Sequence, residues 1–262
     1  MRNLSATILW VLCVLLVGCS SQQQSETPND ELKVDTISLP NEIDTATLEV
    51  KVEEVEPIPD TSEMERALIE QGLINILSLD TSVRFDVKYS TTDNFLNEDV
   101  YGDFAGCYLQ PAAAERLVKA DSILQSLQPK LRFLLHDCVR PRSVQYKMWE
   151  IVKGTDQQNY VAFPGGSGSI HNYGAAVDLS LVHIDTGVVD MGTVFDFFGD
   201  LAQPRYEEKF VKEGKLRQVH VDNRRILRTV MLRAGFHGIL NEWWHFNAFP
   251  REEVKKRFKI VE

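Results

Sequence analysis

Apolar and polar positions divide the chain into a short apolar run, a polar stretch and a long segment in which helical and strand periods alternate. Leu4 to Val17 is dominated by apolar residues and follows Arg2, but it is too short for a comfortable membrane span. Residues 20–60 are mostly Gln, Ser, Glu, Asp, Thr and Pro, and their sparse Val, Ile and Leu islands cannot offset the entropy of ordering them. Beyond them, Met64, Ala67, Leu68, Leu73 and Ile76 make a helical stripe over Met64 to Ile76. Pro111 to Leu127 is a second helix, with proline in its first turn and Leu117, Val118, Leu124 and Leu127 on one side. Lys130 to Asp137 alternates Leu131, Phe133 and Leu135 against Arg132, Leu134 and His136, which predicts a strand. Ser143 caps a third helix carrying Val144, Met148, Ile151 and Val152 and closed at Gly154. Ala175 to Val182 reads as a strand, Asp222 to Ala234 as a helix closed by Gly235, and Ile239 to Phe246 as a final strand. Helices interspersed with strands, without repeated βαβ alternation, predict an α+β fold with a mainly antiparallel central sheet flanked by helices.

Composition adds exclusions. With 262 residues, 44% hydrophobic and 25% charged, the chain is neither collagenous, wholly disordered nor a multi-span membrane protein. Its net charge of −10 is concentrated in residues 20–60, where the acids far outnumber Lys33 and Lys51, leaving the remainder near neutral. A near-neutral body offers no basic face to displace phosphate counterions, so no nucleic-acid partner is expected.

Leu16-Val17-Gly18-Cys19 ends the apolar run and resembles a bacterial lipobox. The resemblance implies a signal peptide over residues 1–18, cleavage before Cys19 and lipid on that cysteine. Residues 19–60 are then an acidic flexible tether, and residues 61–262 a single folded domain exported and anchored to a membrane through lipid. Ser20 after the cysteine favours a periplasm-facing location on the outer membrane in a Gram-negative cell. Cys107 and Cys138 remain in an oxidising compartment, either bridged or as two separate buried thiols, with the bridge favoured.

The chemistry is concentrated in two stretches. In Ser169-Ile170-His171-Asn172-Tyr173-Gly174-Ala175-Ala176-Val177-Asp178, an acid interrupts an apolar strand. Asp178 shares a face with Ala176 and Ser180, while Val177, Leu179 and Leu181 point into the core, so the carboxylate looks out of the sheet over small residues. A bend at Asn172-Tyr173-Gly174 can return His171 to that face. The second stretch, Asn241-Glu242-Trp243-Trp244-His245-Phe246, sets an acid and a histidine among bulky rings. His171, Asp178 and His245 could supply three metal ligands and leave a fourth position for water, with Glu242 as the nearby base. His136, His183, His220 and His237 have no partner at metal spacing.

Together, Ser169-x-His171-x-x-Gly174-x-Ala176-x-Asp178 and Glu242-Trp243-Trp244-His245 resemble the zinc D-alanyl-D-alanine dipeptidases of the vancomycin-resistance type, relatives of zinc D,D-carboxypeptidases. The likeness runs from Phe85-Asp86-Val87-Lys88-Tyr89 through Asp137-x-x-Arg140-Pro141 and Met191-Gly192-x-x-Phe195-Asp196-Phe197 to His245. It implies one zinc ion at a sheet edge on His171, Asp178 and His245, Glu242 as general base and acid, and Arg140 stabilising the tetrahedral intermediate. Tyr89, Ser169, Asp196 and Trp243 would contact D-Ala-D-Ala or a peptidoglycan-derived peptide. Two positions depart from the family pattern and imply a differently shaped pocket: Ile170 replaces a small polar residue, and Cys138-Val139 stands where relatives carry an aromatic before the arginine. Alternatives are a D,D-carboxypeptidase or endopeptidase on stem peptides, and a zinc-stabilised wall-binding lipoprotein without turnover.

Overall fold

The structure, a computed structural model, describes residues 62–262; the lipobox, Cys19 and the tether lie outside the described residues. Helix α1 (Glu63–Glu70) begins with a capping box, in which Ser62 Oγ accepts from the Glu65 N–H and the Glu65 carboxylate accepts from the Ser62 N–H. It stops well before Ile76, because Gly72 is left-handed and the chain turns into strand β1 (Ile74–Asn75). Strands β2 (Arg84–Phe85) and β3 (Tyr108–Leu109) precede helix α2, which spans Pro111–Leu127 as its pattern predicts.

Strand β4 (Leu131–Asp137) leads to helix α3 (Arg142–Val152), strand β5 (Ala176–His183) and strand β6 (Gly187–Val188). Pro141, with no side-chain cap, starts α3; Ser143 lies inside the helix rather than capping it. Helix α4 (Glu207–Lys212) precedes α5 (Gln218–Arg233), which begins four residues earlier than its apolar pattern shows, because His220 folds back to accept the Arg217 N–H. The chain ends with β7 (His237–Gly238), β8 (His245–Asn247) and α6 (Arg251–Arg257), the last not anticipated.

Of the expected final strand over 239–246, only His245 and Phe246 are strand; 239–244 form an irregular link between β7 and β8. Consecutive strand side chains face opposite ways, whereas the Trp243 and Trp244 rings meet edge to face with centroids 5.3 Å apart and are both buried.

The main sheet runs β2-β4-β5-β8-β7, with β6 also pairing to β5. It is mixed but mainly antiparallel: β2 lies parallel to β4, and the other pairings are antiparallel. Strands β1 and β3 form a separate pair. On one face, Phe133, Leu135, Val177, Leu179 and Leu181 are fully buried in the core that includes Leu117 and Leu124 of α2 and Leu227 and Met231 of α5. Asp178 and Ser180 alternate to the other face as expected, but they are buried too, at 4% and 3% exposure. Met191, Thr193 and Phe195 line the same groove as Ser180, Leu134 and His136, so the face is roofed rather than open to water.

Between β4 and β5 the register slips by one residue. Leu135 pairs with Leu179, yet Asp137 pairs with Asp178, leaving His136 as the extra residue of a bulge. Without it, Asp137 would lie opposite Val177; with it, Asp137 lies beside Asp178. Cys107 and Cys138 form a disulfide, with Cα atoms 5.2 Å apart, that ties the entry to β3 to the end of β4. No helix among the described residues is long and apolar enough to cross a membrane.

The turn before β5 depends on Gly174, whose φ of 64° is left-handed and whose added Cβ would meet Leu73 Cδ2 at 2.7 Å. Gly174→Ala is expected to cost about 1–3 kcal/mol of stability in urea unfolding; an unchanged midpoint would show that the turn relaxes freely.

Candidate metal centre

Each donor at the site is aimed by local structure. His171 rides on a 3₁₀ turn, Ile170–Tyr173, capped by Ser169, whose Oγ accepts the His171 backbone N–H, while Asn172 Oδ1 accepts the Ser169 N–H. That turn is fastened to the loop after β4: Arg140 N–H donates to the His171 carbonyl at 3.0 Å, and the Asn172 amide donates to the Arg140 carbonyl at 2.7 Å. Asp178 lies on β5, and His245 opens β8 directly opposite it. The cluster thus sits at one end of the central strands β4, β5 and β8, not at a lateral sheet edge.

The ring nitrogens are set by their outer contacts. His171 Nδ1–H donates to the Cys138 carbonyl at 2.7 Å, and His245 Nε2–H donates to Asn247 Oδ1 at 2.9 Å. This leaves His171 Nε2 and His245 Nδ1 facing each other at 3.1 Å, with Asp178 Oδ1 at 3.4 Å from the first and 2.9 Å from the second. Three lone pairs converge in a buried space, and a proton or a cation must lie among them. A tetrahedral metal with bonds of about 2.0–2.1 Å has ligand–ligand edges of roughly 3.3–3.4 Å, close to the spacings found. Two imidazoles and one carboxylate therefore fit a small borderline divalent ion such as zinc.

Around this cluster the charges are densely arranged. Burial works against protonation of His245, but its hydrogen bond to Asp178 and the charges of Asp178 and Glu242 outweigh burial and raise its pKa to about 9. Burial opposes the charged form of Asp178 as well, yet His171 and His245 hold its carboxyl below the usual carboxylate range. Burial pushes Glu242 up, helped by the Asp178 charge and opposed by His245, His171 and Arg140. Among the described residues no hydrogen bond occupies the Glu242 carboxylate, so it is available to a water or a substrate.

Arg140 is buried and held from three sides. Its Nε and Nη2 donate to Asp137 Oδ2 at 3.0 and 2.5 Å, its Nη1 donates to Gln145 Oε1 at 3.1 Å, and its guanidinium carbon lies 5.0 Å from the Tyr89 ring centroid. Tyr89 in turn donates to Asp196 Oδ2 at 2.7 Å. Asp196 has a left-handed backbone, φ 57°, rare for a side-chain-bearing residue and a form of strain found at functional sites. Burial, then the charge of Asp178, raise the Asp196 carboxyl well above its usual range against the Tyr89 hydrogen bond.

A family model described as peptidase M15, D-Ala-D-Ala dipeptidase, matches residues 70–261. The chain belongs to that family. The D-alanyl-D-alanine dipeptidase of Escherichia coli K12 is 29% identical over 174 residues, covering 66% of this chain and 83% of that protein. The namesake proteins of Enterococcus faecalis V583 and Enterococcus faecium are 28% and 32% identical, covering 68% and 63% of this chain and 92% and 85% of their own lengths. The family and these relatives make the chain a peptidase of the dipeptidase type.

The structure brings His171, Asp178 and His245 together and sets Glu242, Arg140 and Asp196 within reach of their charge. It gives other expected contacts different surroundings. Ser169 caps the His171 turn. Trp243 is buried, packs on Trp244 and donates its indole N–H to Thr193 Oγ1 at 2.8 Å, so it braces the 242–245 link. Asp137, Gln145 and Asn247 are supporting residues that pattern reading left without a role. Asn247 lies two positions from His245 on a strand and hence on the same face, and Asp137 lies three residues before Arg140; both spacings were visible in the sequence.

Metal binding requires the proton on His245 to leave. The pKa of about 9 exceeds the unfolded value of about 6.5. This histidine therefore stabilises the metal-free fold fully below pH 6.5, and that contribution is lost as pH rises through 9. The rise in melting temperature on adding zinc should accordingly widen between pH 6.5 and 9; a pH-independent rise would contradict the proton on His245.

Proposed function

We propose that this protein is an exported, lipid-anchored zinc dipeptidase that hydrolyses D-Ala-D-Ala or a near analogue during turnover of cell-wall peptides. One observation carries the reading: three convergent donors, a carboxylate free of hydrogen bonds at Glu242 and a guanidinium at Arg140 feel one another's charge at a single site in a chain of the M15 family. The relatives' names supply the dipeptide. The Cys107–Cys138 bridge supports an oxidising compartment, as expected for a domain carried beyond the cytoplasm on the acidic tether.

His171, Asp178 and His245 would hold the zinc, which when bound supplies Lewis acidity to activate a water near neutral pH and polarise the scissile carbonyl. Glu242 takes the proton from the attacking water and returns it to the departing amine nitrogen. Burial raises its pKa, which makes it a better acceptor for that proton. Arg140 keeps its charge, because Asp137 and its other neighbours favour the cation more than burial disfavours it. Held by Asp137 and Gln145, it presents that charge to the carbonyl oxygen as negative charge grows there, with no reorganisation at the moment of reaction. Tyr89 binds one oxygen of Asp196, leaving the other to pair with the free ammonium of a dipeptide. That pairing would offset the burial that raises the Asp196 carboxyl above its usual range. Ser169, at the start of the His171 turn, is assigned the substrate backbone.

The test is D-alanine release from D-Ala-D-Ala by the full-length protein with zinc, after chelation, and as Glu242→Ala. Release should need zinc, and loss of Glu242 should lower kcat by about 10²–10⁴-fold with zinc still bound. N-acetyl-D-Ala-D-Ala, lacking the ammonium, should be a poor substrate for the wild type, and Asp196→Ala should raise KM for the free dipeptide. Equal cleavage of blocked and free peptides would identify a D,D-carboxypeptidase. Zinc binding with no cleavage of any of these peptides would favour a wall-binding role.

A further inference from the structure

Cys138 touches both halves of the site. Its carbonyl accepts the Nδ1–H of His171 at 2.7 Å, and its backbone N–H donates to Asp137 Oδ1 at 3.0 Å, while the other oxygen of Asp137 holds Arg140. Cys138 follows the bulge at His136, just beyond the last paired residue of β4, where the β-ladder no longer fixes the backbone. Beside the hydrogen bonds to the His171 turn, it is tied to the segment before α2 by the covalent bond to Cys107 and by the bond from the Val139 N–H to the carbonyl of Tyr108, the residue after Cys107. Cys107 is itself anchored, since its carbonyl accepts the Ile76 N–H at 2.9 Å. Both cysteines are buried, at 1% and 3% exposure.

We propose that the Cys107–Cys138 disulfide is a positioning element of the metal centre: by fixing the Cys138 carbonyl it fixes the ring of His171, and it thereby links tight metal retention to oxidation of the two thiols. The inference rests on the zinc reading. Forming the bridge takes two protons and two electrons from the thiols of Cys107 and Cys138. A disulfide oxidant accepts them through a mixed disulfide and leaves as its dithiol. Before that exchange the chain has the same ligands, but the carbonyl that sets the His171 tautomer and orientation rests on backbone hydrogen bonds. Removing an outer partner of a metal-bound histidine costs about 10–100-fold in metal affinity. The metal is therefore held more tightly after oxidation than before it, which favours activity outside the reducing cytoplasm.

A disulfide can also act only by restricting the unfolded chain, and the test separates the two roles. The full-length C107A/C138A protein is loaded with zinc and challenged with excess chelator, beside wild type and beside Leu124→Ala, a truncation in the α2 core. Melting temperatures are measured for all three. The double variant should release zinc at least about tenfold faster than wild type, and the visible absorption of its cobalt-substituted form should shift. Leu124→Ala should keep the wild-type release rate and spectrum despite its lower melting temperature. Wild-type release and spectrum in the double variant would overturn the role of the bridge, as would equally fast release from Leu124→Ala. If the double variant does not fold, wild type is reduced with a phosphine, which takes an oxygen from water and returns both thiols. While near-ultraviolet circular dichroism shows it folded, the reduced protein should release zinc faster than the oxidised one, and equal rates would overturn the proposal. Oxidised wild type that binds no zinc would overturn the zinc reading itself, an outcome distinct from unchanged release in the variant.

Discussion

Three electron-pair donors pressed within 3.4 Å of one another in a buried space are the constraint on which the rest of the structure depends. Left to themselves, His171 Nε2, Asp178 Oδ1 and His245 Nδ1 repel, and burial denies them the water that would screen the repulsion. The metal-free chain meets the problem with a proton on His245. A divalent ion meets it better, because it satisfies all three at once and also offsets the negative charge that contributes to the raised pKa values of Glu242 and Asp196.

Holding such a cluster in place requires a backbone that cannot relax away from it. The bulge at His136 sets Asp137 beside Asp178, and the capped turn at Ser169 with left-handed Gly174 returns His171 to the face from which Asp178 projects. Cross-bonds between Arg140 and the His171 turn join the two loops. The core beneath is apolar and continuous, while the working face is lined by charged groups that, Glu242 apart, have designated partners. The same few bonds therefore serve packing and chemistry, and Asp137 belongs to both: it neutralises a buried arginine and aims it.

Much of this was legible in the sequence, and the remainder was hidden for physical reasons. The strands carrying Leu131 and Val177 send every second residue into the α2–α5 core, so their periods show despite Leu134 on the other face of β4. The helix from Pro111 to Leu127 has both a proline start and an apolar stripe, and its ends were readable. The segment 239–246 misled because a run of large side chains resembles a strand, whereas two neighbouring tryptophans on one side demand an irregular backbone. The parallel pairing of β2 with β4 involves only two residues on β2, too few to leave a pattern. The candidate metal ligands drew attention because an acid and two histidines among apolar residues are costly without a purpose. Backbone partners such as the Cys138 carbonyl leave no mark in a sequence, because every residue has one.

The account is tested most directly by a crystal of the zinc-loaded protein with anomalous data collected on either side of the zinc edge. It predicts one strong anomalous peak per chain, bonded to His171 Nε2, Asp178 and His245 Nδ1, with Glu242 facing the open side. A peak elsewhere, or none at this cluster under conditions in which D-alanine is released from D-Ala-D-Ala, would contradict it.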